Sequence, residues 1–182
     1  MLKSFDTALG HMAFLIDGGE VLALTFGYPT AMAARKALNE RLDSSASPRS
    51  KTTSDPGEDA YLAEQLEERL SRFAEGEAVD FDDLPISIAG LTKFQRQVIA
   101  ACRAIPWGET STYGELADSV GHPGAARAVG SVMSNNRIPL VVPCHRVLAS
   151  GGRLGGYSAP EGLAMKQRLL EAEQAALQEL AQ

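Results

Sequence analysis

The stretch Pro143-Cys144-His145-Arg146-Val147 decides how the rest of the sequence is interpreted. It follows the apolar run 138–142, which is bounded by prolines and predicts a short buried strand. A cysteine beside a histidine at the end of a strand is one way to present a nucleophile, because the thiolate attacks electrophiles and an imidazole can accept the thiol proton. Cysteine is also among the most buried residue types, so the pair by itself equally allows a structural cysteine and a surface histidine.

Composition and cysteine usage are those of an ordinary globular protein. The 182 residues suffice for one compact domain, or for one domain with a small companion. Only two cysteines occur, Cys102 and Cys144, which lie far apart and form no CxxC pattern. Residues 1–5 show no secretory signal, and no apolar run is long enough to span a bilayer. We therefore expect a cytoplasmic protein with reduced thiols and no membrane partner.

Charge is distributed unevenly along the sequence. Residues 1–90 carry 8 Lys and Arg against 16 Asp and Glu, whereas residues 91–170 carry 9 against 4. The last twelve residues carry three acids and no base, which completes the net charge of -6. The part that contains Cys144 is therefore basic, as suits a polyanionic partner, although such an asymmetry also arises by chance.

The first ninety residues predict a small sheet with helices. A hairpin is expected over 11–26, turning at Asp17-Gly18-Gly19-Glu20. Helices are expected at about 30–42 and at 61–73, where apolar residues recur at helical spacing. Between them, residues 43–59 are polar and rich in serine, and cannot bury enough apolar surface to offset their ordering. We predict a mobile loop there, whose role the sequence does not indicate.

The second half predicts a series of short helices with defined starts. Capping boxes at Thr92–Gln95 and Thr112–Glu115 begin two of them. Apolar residues of the first helix recur at helical spacing and include Cys102, which we interpret as a packing residue. The turn at 121–124 separates the second helix from a further one that ends near Ser134. Two short helices joined by a glycine-containing turn indicate a helix-turn-helix.

The second helix of this pair has an almost bare outer face. Ala126, Val129 and Met133 can face inward, while Arg127 and Ser131 lie on the other side beside small residues. A bare face lets a helix approach a nucleic-acid backbone closely, and a lone arginine can enter the base stack or contact phosphate. The same residues would also suit a helix packed against another element, and both interpretations stay open at this point.

The last predicted helix spans about 161–180 and places Leu163, Leu170 and Leu177 on one stripe. Glu173 falls at the border of that stripe. A carboxylate turned partly inward needs a hydrogen-bonding partner, and a histidine beside a nucleophile is one candidate. A solvated glutamate on a surface helix is the other interpretation.

Several of these segments, taken in order, resemble the O6-alkylguanine-DNA alkyltransferases, also called methylated-DNA–protein-cysteine methyltransferases. The segments are PWGETSTYGELA at 106–117, AARAVG at 125–130, NRIPLVVPCHRV at 136–147 and GGYS at 155–158. The resemblance covers residues 91–173, and PCHRV with AARAVG upstream is a highly specific combination.

The resemblance implies a DNA repair protein that extrudes an alkylated guanine and transfers its alkyl group to Cys144. It implies that His145 removes the thiol proton and that Glu173 orients the imidazole. Tyr113 would hydrogen-bond or protonate the leaving guanine, and Asn136 would brace the turn between the recognition helix and the active-site strand.

On the DNA side, the resemblance implies that Arg127 fills the gap left by the flipped base. Ala126 and Ser131 would lie on the same helix in the minor groove, with Tyr113 also near the DNA. The residues that would line the substrate pocket are Pro139, Val147, Tyr157 and Ser158. The implied partner is double-stranded DNA carrying O6-alkylguanine, bound by a monomer, and no cofactor or metal is implied.

The chemistry of these residue types agrees with the resemblance. An alkyl carbon on an aryl ether is a poor electrophile, so transfer needs a thiolate and a neutralised leaving group, and an unassisted cysteine is only a few per cent thiolate near neutral pH. A guanine in a duplex cannot reach a pocket without leaving the stack. Because water does not reverse a thioether, each molecule would act once.

Two departures from the family pattern lie near the expected site. The loop 158–163 is one residue longer and stiffer than the common form, which puts the tolerance for bulky alkyl groups in doubt. Arg137 stands where a proline often follows the asparagine, and adds a charge on the side expected to face DNA.

We expect an α/β (α+β) protein of two domains. Residues 1–90 would form a small sheet-plus-helix, ribonuclease-H-like domain. Residues 91–182 would form a mostly helical, winged helix-turn-helix-like domain for DNA binding and alkyl transfer.

Two other classes of function compete with DNA alkyl transfer. A non-catalytic alkyltransferase-like lesion binder would lack the nucleophile, which is present as Cys144. A Cys-His hydrolase would need an oxyanion hole and would leave the bare face around Arg127 unexplained.

Overall fold

The computed structural model describes residues 1–43 and 55–180. The chain forms two compact units, Met1–Gly90 and Leu91–Gln182. Together they make a mixed protein of small sheets and helices. No helix within the described ranges is long and apolar enough to cross a membrane.

The first unit is built on a three-stranded antiparallel sheet in the order β1, β2, β3, with strands β1 (Leu2–Phe5), β2 (His11–Asp17) and β3 (Glu20–Tyr28). The hairpin predicted over 11–26 is confirmed as β2 and β3. Asp17 pairs with Glu20, and the two glycines between them have φ of 65° and 73°, a conformation that favours glycine. Strand β1 was not predicted, because four residues are too short to show a clear alternation.

Two helices accompany this sheet: α1 (Ala31–Asp43) and α2 (Pro56–Ala74). Ala34 and Leu38 of α1 pack on Ala13 and Ala23 of the sheet, and all four are fully buried. Helix α2 buries an apolar stripe that includes Leu66.

The loop predicted over 43–59 is partly wrong. Helix α1 includes Asp43, and α2 begins at Pro56, five residues earlier than expected. Asp55 explains the early start, because its carboxylate accepts the Gly57 amide at 3.0 Å while Pro56 occupies a first-turn position. The rest of the predicted loop, 44–54, lies outside the described residues.

The second unit is mostly helical. Its elements are α3 (Lys93–Arg103), β4 (Ser111–Thr112), α4 (Tyr113–Ser119), α5 (Ala126–Ser134), β5 (Val147–Leu148) and α6 (Leu163–Leu180). Both predicted capping boxes are confirmed, with the two reciprocal hydrogen bonds present at Thr92 and at Thr112. Helix α4 packs against α5, and α3 packs against both. Strands β4 and β5 are short and parallel.

The strand predicted at 138–142 is wrong. The segment is buried, but it is a tight turn in which the Val142 amide donates to the Ile138 carbonyl at 2.9 Å. Leu140 has a φ of 71°, and Pro139 lacks an amide hydrogen, so the segment cannot pair as a regular strand. The strand of this region, β5, follows the cysteine instead of preceding it.

The leucine stripe predicted for the last helix is also wrong. Leu163 and Leu177 are 48% and 39% exposed. The buried face of α6 is instead formed by Met165, Lys166, Leu169 and Glu173. Residues spaced four apart form one row along a helix, as Met165, Leu169 and Glu173 do in α6. The last residue of this row, Glu173, is an acid whose hydrogen-bonding partners lie inside the second unit.

Candidate active site

Cys144 lies in a 3₁₀ turn, Cys144–Arg146, and is 6% exposed. The Cys144 amide donates to the Val142 carbonyl at 2.7 Å, and the Arg146 amide donates to the Pro143 carbonyl at 2.9 Å. These bonds tie the cysteine to the buried turn before it. The position of the sulfur is therefore set by backbone that has little freedom to move.

Asn136 holds the same turn through its side-chain amide. Its Nδ2 donates to the Val142 carbonyl at 2.8 Å and to Cys144 Sγ at 3.2 Å, and its Oδ1 accepts the Ile138 amide at 3.0 Å. A donor aimed at sulfur stabilises the thiolate more than the thiol, because the charged acceptor makes the stronger hydrogen bond. Asn136 thus bonds to both sides of the turn, and its contact with Cys144 would favour the charged form of the sulfur.

His145 is fully buried, and its Nε2 lies 2.7 Å from Glu173 Oε1. An ionised carboxylate only accepts hydrogen bonds, so Nε2 carries the hydrogen and the basic lone pair of the neutral ring is on Nδ1. Burial lowers the pKa of His145, and the attraction of Glu173 does not overcome this, since Arg146 and Lys166 add positive charge. The imidazole is therefore neutral at neutral pH, which is the form that can accept a proton.

Glu173 is 1% exposed and every carboxylate oxygen is hydrogen-bonded. Besides His145, it accepts the Gly108 amide at 3.0 Å and the guanidinium of Arg146. Burial alone would raise the pKa of Glu173, but the hydrogen bonds from His145 and Arg146 and the charge of Arg146 bring this pKa below its usual value. The carboxylate is therefore charged, as an acceptor for the imidazole must be.

Arg146 is a buried cation whose contacts are all internal. Its Nε lies 3.1 and 3.0 Å from the two Glu173 oxygens, and its Nη2 lies 3.0 Å from Oε1. Its Nη1 donates to the Ile105 carbonyl at 2.7 Å, and its guanidinium carbon lies 5.6 Å from the centre of the Trp107 ring. The arginine that follows the histidine therefore belongs to the buried network.

Lys166 is a second buried cation, with no exposed surface. Its Nζ donates to the Val147 carbonyl at 2.6 Å and lies about equally far from the centres of two aromatic rings, Tyr113 at 6.0 Å and Tyr157 at 5.9 Å. Burial lowers the pKa of Lys166, and the Coulombic influence of Cys144 and Cys102 opposes that lowering. The lysine thus brings Tyr113, Tyr157 and Val147 together beside the cysteine.

Tyr113 is the first residue of α4 and is partly buried. Burial raises the pKa of its hydroxyl, and the negative charges of Cys144 and Cys102 raise it further, so the phenol keeps its proton. A Cβ at Gly155 would lie 2.6 Å from the tyrosine oxygen. The close approach of Gly155 therefore fixes where the ring can lie.

Helix α5 separates its two faces as the sequence predicts. Val129 and Met133 are buried, whereas Arg127 and Ser131 are exposed and Ala126 is partly buried. A Cβ on Gly130 would meet no atom within 4 Å. The outer face is therefore open and nearly flat, with one long cation near its start.

Three comparisons place this unit among known proteins. Residues 93–175 match the family model of the 6-O-methylguanine DNA methyltransferase DNA-binding domain. A methylated-DNA–protein-cysteine methyltransferase of Mycolicibacterium paratuberculosis is 47% identical over 106 residues, which are 58% of this chain and 62% of that protein. The protein of the same name from Mycobacterium tuberculosis is 44% identical over 121 residues, which are 66% of this chain and 68% of that protein. The crystal structure of Mycobacterium tuberculosis OGT in complex with DNA has a TM-score of 0.68 and 33% identity, over 96% of this chain and 93% of that chain. This chain belongs to the methylated-DNA–protein-cysteine methyltransferase family.

The segment matched by the family model of the methyltransferase contains every residue that the sequence assigned to a site. All four of Cys144, His145, Glu173 and Asn136 are buried, with Asn136 bonded to Cys144 and His145 bonded to Glu173, and Tyr113 lies near Lys166. Of the residues predicted to line the pocket, Pro139 and Val147 are buried and Tyr157 is partly buried beside Lys166. Ser158 is exposed.

Sequence reasoning missed two residues of this methyltransferase-family site, Arg146 and Lys166. Both are charged, and charged side chains are rarely buried unless they are paired. One signal for Lys166 was available, since it lies seven residues before Glu173 and therefore on the same face of a helix. For metal binding, the described part of the chain contains no group of three or more suitable His, Cys, Asp or Glu residues.

Proposed function

We propose that this protein repairs duplex DNA by moving the alkyl group of an O6-alkylguanine irreversibly onto the sulfur of Cys144. One observation carries the proposal: Asn136 donates a hydrogen bond to the sulfur of Cys144, and the next residue, His145, is a buried, neutral imidazole oriented by Glu173. An aryl ether is a poor electrophile, and this arrangement supplies the thiolate that attack on it requires.

Transfer begins when the thiol proton of Cys144 passes to Nδ1 of His145, directly or through one water molecule. The bond from Nε2 to Glu173 stabilises the imidazolium that forms. The sulfur attacks the alkyl carbon, a carbon–sulfur bond forms, and the bond from that carbon to guanine O6 breaks with its electron pair going to the guanine. Tyr113 donates a hydrogen bond or proton, so that guanine leaves as a neutral base, and the imidazolium or solvent returns the proton.

The walls of the pocket would come from Pro139, Val147, Tyr157 and Ser158. The hydrogen bond from Lys166 fixes the Val147 carbonyl, which is suited to accept from an amino group of the base. Because the thioether product is stable in water, the protein would act once per molecule.

Recognition of the duplex would use α4 and α5 as a winged helix-turn-helix-like element, and the first unit would be ribonuclease-H-like. The exposed small residues of α5 would approach the minor groove, with Ala126 and Ser131 near the backbone, and Arg127 would fill the space of the flipped base. The related Mycobacterium tuberculosis OGT was solved in complex with DNA, which supports a duplex partner. We expect a monomer to bind.

Intact-mass measurement after mixing the protein with duplex DNA containing O6-methylguanine tests the proposal. One added methyl group is expected, on the peptide that carries Cys144, with no second turnover. Cys102→Ala is the matched control, since Cys102 is fully buried in α3, and it should accept the methyl group as the parent does. Cys144→Ala should bind the DNA without reacting. A parent protein that stays unmodified while it binds the lesion would refute transfer.

A lesion-recognition protein without transfer is the alternative, and it is not favoured. Such a protein has no use for a nucleophile, yet Cys144 is present together with its donor and its base.

A further inference from the structure

We propose that Arg146 keeps His145 neutral by compensating the charge of Glu173, so that Nδ1 is able to take the proton of Cys144. The inference rests on the proposed function and assigns Arg146 as a positioning residue for it. Arg146 need not touch the substrate, because it acts through the carboxylate and the imidazole.

The contacts of Arg146 leave its guanidinium one orientation. It makes three contacts of 3.0–3.1 Å with the Glu173 oxygens, while its Nη1 bonds to Ile105 and its planar group lies over Trp107. A planar cation paired in this two-pronged way neutralises the carboxylate more fully than a single contact does. Its burial strengthens the effect, because no solvent screens the pair.

The groups that face His145 decide how many protons the network holds. They are Arg146 from the 3₁₀ turn, and Lys166 and Glu173 from α6, while Cys144 is the preceding residue of the same turn. With Arg146 present, the carboxylate already has a compensating charge, and the imidazole need not be protonated. Without Arg146, a buried carboxylate and a histidine in contact would take up one proton together.

That extra proton blocks the base wherever it resides. If the imidazole holds it, both ring nitrogens carry hydrogen. If Glu173 holds it, the carboxyl donates to Nε2, and the hydrogen of the neutral ring moves to Nδ1. In either case Nδ1 cannot accept the proton of Cys144. Loss of Arg146 should therefore displace the acid limb of the transfer reaction to higher pH, besides any effect on packing.

The experiment compares the full-length protein with Arg146→Met, Arg146→Lys and the double variant Arg146→Met/Glu173→Gln. Single-turnover transfer from free O6-benzylguanine is measured from about pH 5 to about pH 9, a range that spans histidine titration. In Arg146→Met the midpoint of the acid limb should move up by about one pH unit or more. At about one pH unit below this new midpoint, the transfer rate should be about tenfold lower than the plateau rate of the same variant. Arg146→Lys, which keeps the charge, should leave the limb near that of the parent.

The double variant separates charge from packing. It removes both charges, and glutamine still accepts from Nε2, so the limb should return to the position seen in the parent. Arg153→Met is the matched control, since Arg153 is an exposed arginine of the same unit, and its profile should be unchanged. If Arg146→Met lowers the plateau rate of transfer but leaves the midpoint of the acid limb where it is in the parent, the proposal is overturned. It is also overturned if the acid limb of the double variant stays at higher pH than that of the parent.

Nitrogen NMR of His145 gives a readout that does not depend on transfer. The parent should show a neutral ring with hydrogen on Nε2 near neutral pH, and Arg146→Met should show hydrogen on Nδ1. If the parent fails to methylate Cys144, the proposed function fails, yet these spectra still decide the role of Arg146. Identical titration of His145 in the two proteins would refute it.

Discussion

Replacing Asn136 by alanine should weaken both the turn that carries Cys144 and the nucleophile. The Ile138 amide would lose the acceptor it has in the native structure, and a buried donor without one costs about 1–3 kcal/mol. The Val142 carbonyl would lose one of two donors but keep the Cys144 amide, a net loss of about 1 kcal/mol. The free energy of unfolding should therefore fall by about 2–4 kcal/mol.

The same substitution removes the donor to the sulfur. A hydrogen bond to a charged group contributes about 1.5–3 kcal/mol, and the lower value suits a contact of 3.2 Å to sulfur. Since about 1.4 kcal/mol is a factor of ten, the thiolate population near neutral pH should fall about tenfold. Single-turnover transfer from free O6-benzylguanine should slow by the same factor, and the deficit should shrink at high pH, where every thiol ionises.

Denaturant unfolding and the rate–pH profile test the two effects separately. Asn135→Ala is the matched control, because that side chain is exposed and its amide bonds to the Ser131 carbonyl at the end of α5. Asn135→Ala should lower the free energy of unfolding by less than about 1 kcal/mol and leave the rate of transfer unchanged. A tenfold deficit in Asn136→Ala that persists on the alkaline plateau of its own rate–pH profile would refute the donor role.

Three further predictions follow from named contacts. Gly155→Ala should slow transfer by up to about 100-fold, because the new Cβ would lie 2.6 Å from the Tyr113 oxygen and displace the ring. Gly156→Ala is the control, since a Cβ there meets nothing within 4 Å, and it should react at the normal rate. Equal transfer rates for the two variants would contradict the reasoning. Arg127→Ala should slow repair in duplex DNA much more than transfer from free O6-benzylguanine, judged against Arg153→Ala, and equal losses would remove its role in base flipping. Acid should destabilise the protein. In the folded state the pKa values of Glu173 and His145 both lie below their ordinary values. As the pH falls, the unfolded chain therefore binds each proton before the folded protein does, and the free energy of unfolding decreases. Denaturant titrations at successive pH values should show this decline beginning near the ordinary histidine pKa of about 6.5, and a His145→Gln variant should lack that first part.

Local signals in the sequence predicted the parts of the fold that local chemistry decides. The capping boxes at Thr92 and Thr112 need only residues three apart, and the Gly18-Gly19 turn needs only two positive φ values. These features can be predicted because their partners are close in sequence.

The errors lie where burial depends on distant partners. A short apolar run such as 138–142 is equally typical of a buried strand and a buried turn, and only Leu140 in a left-handed conformation decides between them. The face of α6 was misassigned because Glu173 and Lys166 count as polar in any hydrophobic pattern. Their partners, His145 and the Val147 carbonyl, are 28 and 19 residues away.

The buried charges around Cys144 also bear on how the thiolate would be stabilised before transfer. Arg146 and Lys166 are positive and Glu173 is negative, so a neutral thiol leaves the cluster with one surplus positive charge. Burial of an uncompensated charge is costly, and a Cys144 thiolate would balance it once the proton taken by His145 has left the cluster. An alkylated sulfur carries no charge, so the surplus returns and the donor of Asn136 loses its charged acceptor. The cluster therefore matches the charge of the thiolate and not that of the alkylated sulfur, which would promote ionisation of Cys144. The one-way course of transfer would follow instead from the stability of the thioether in water.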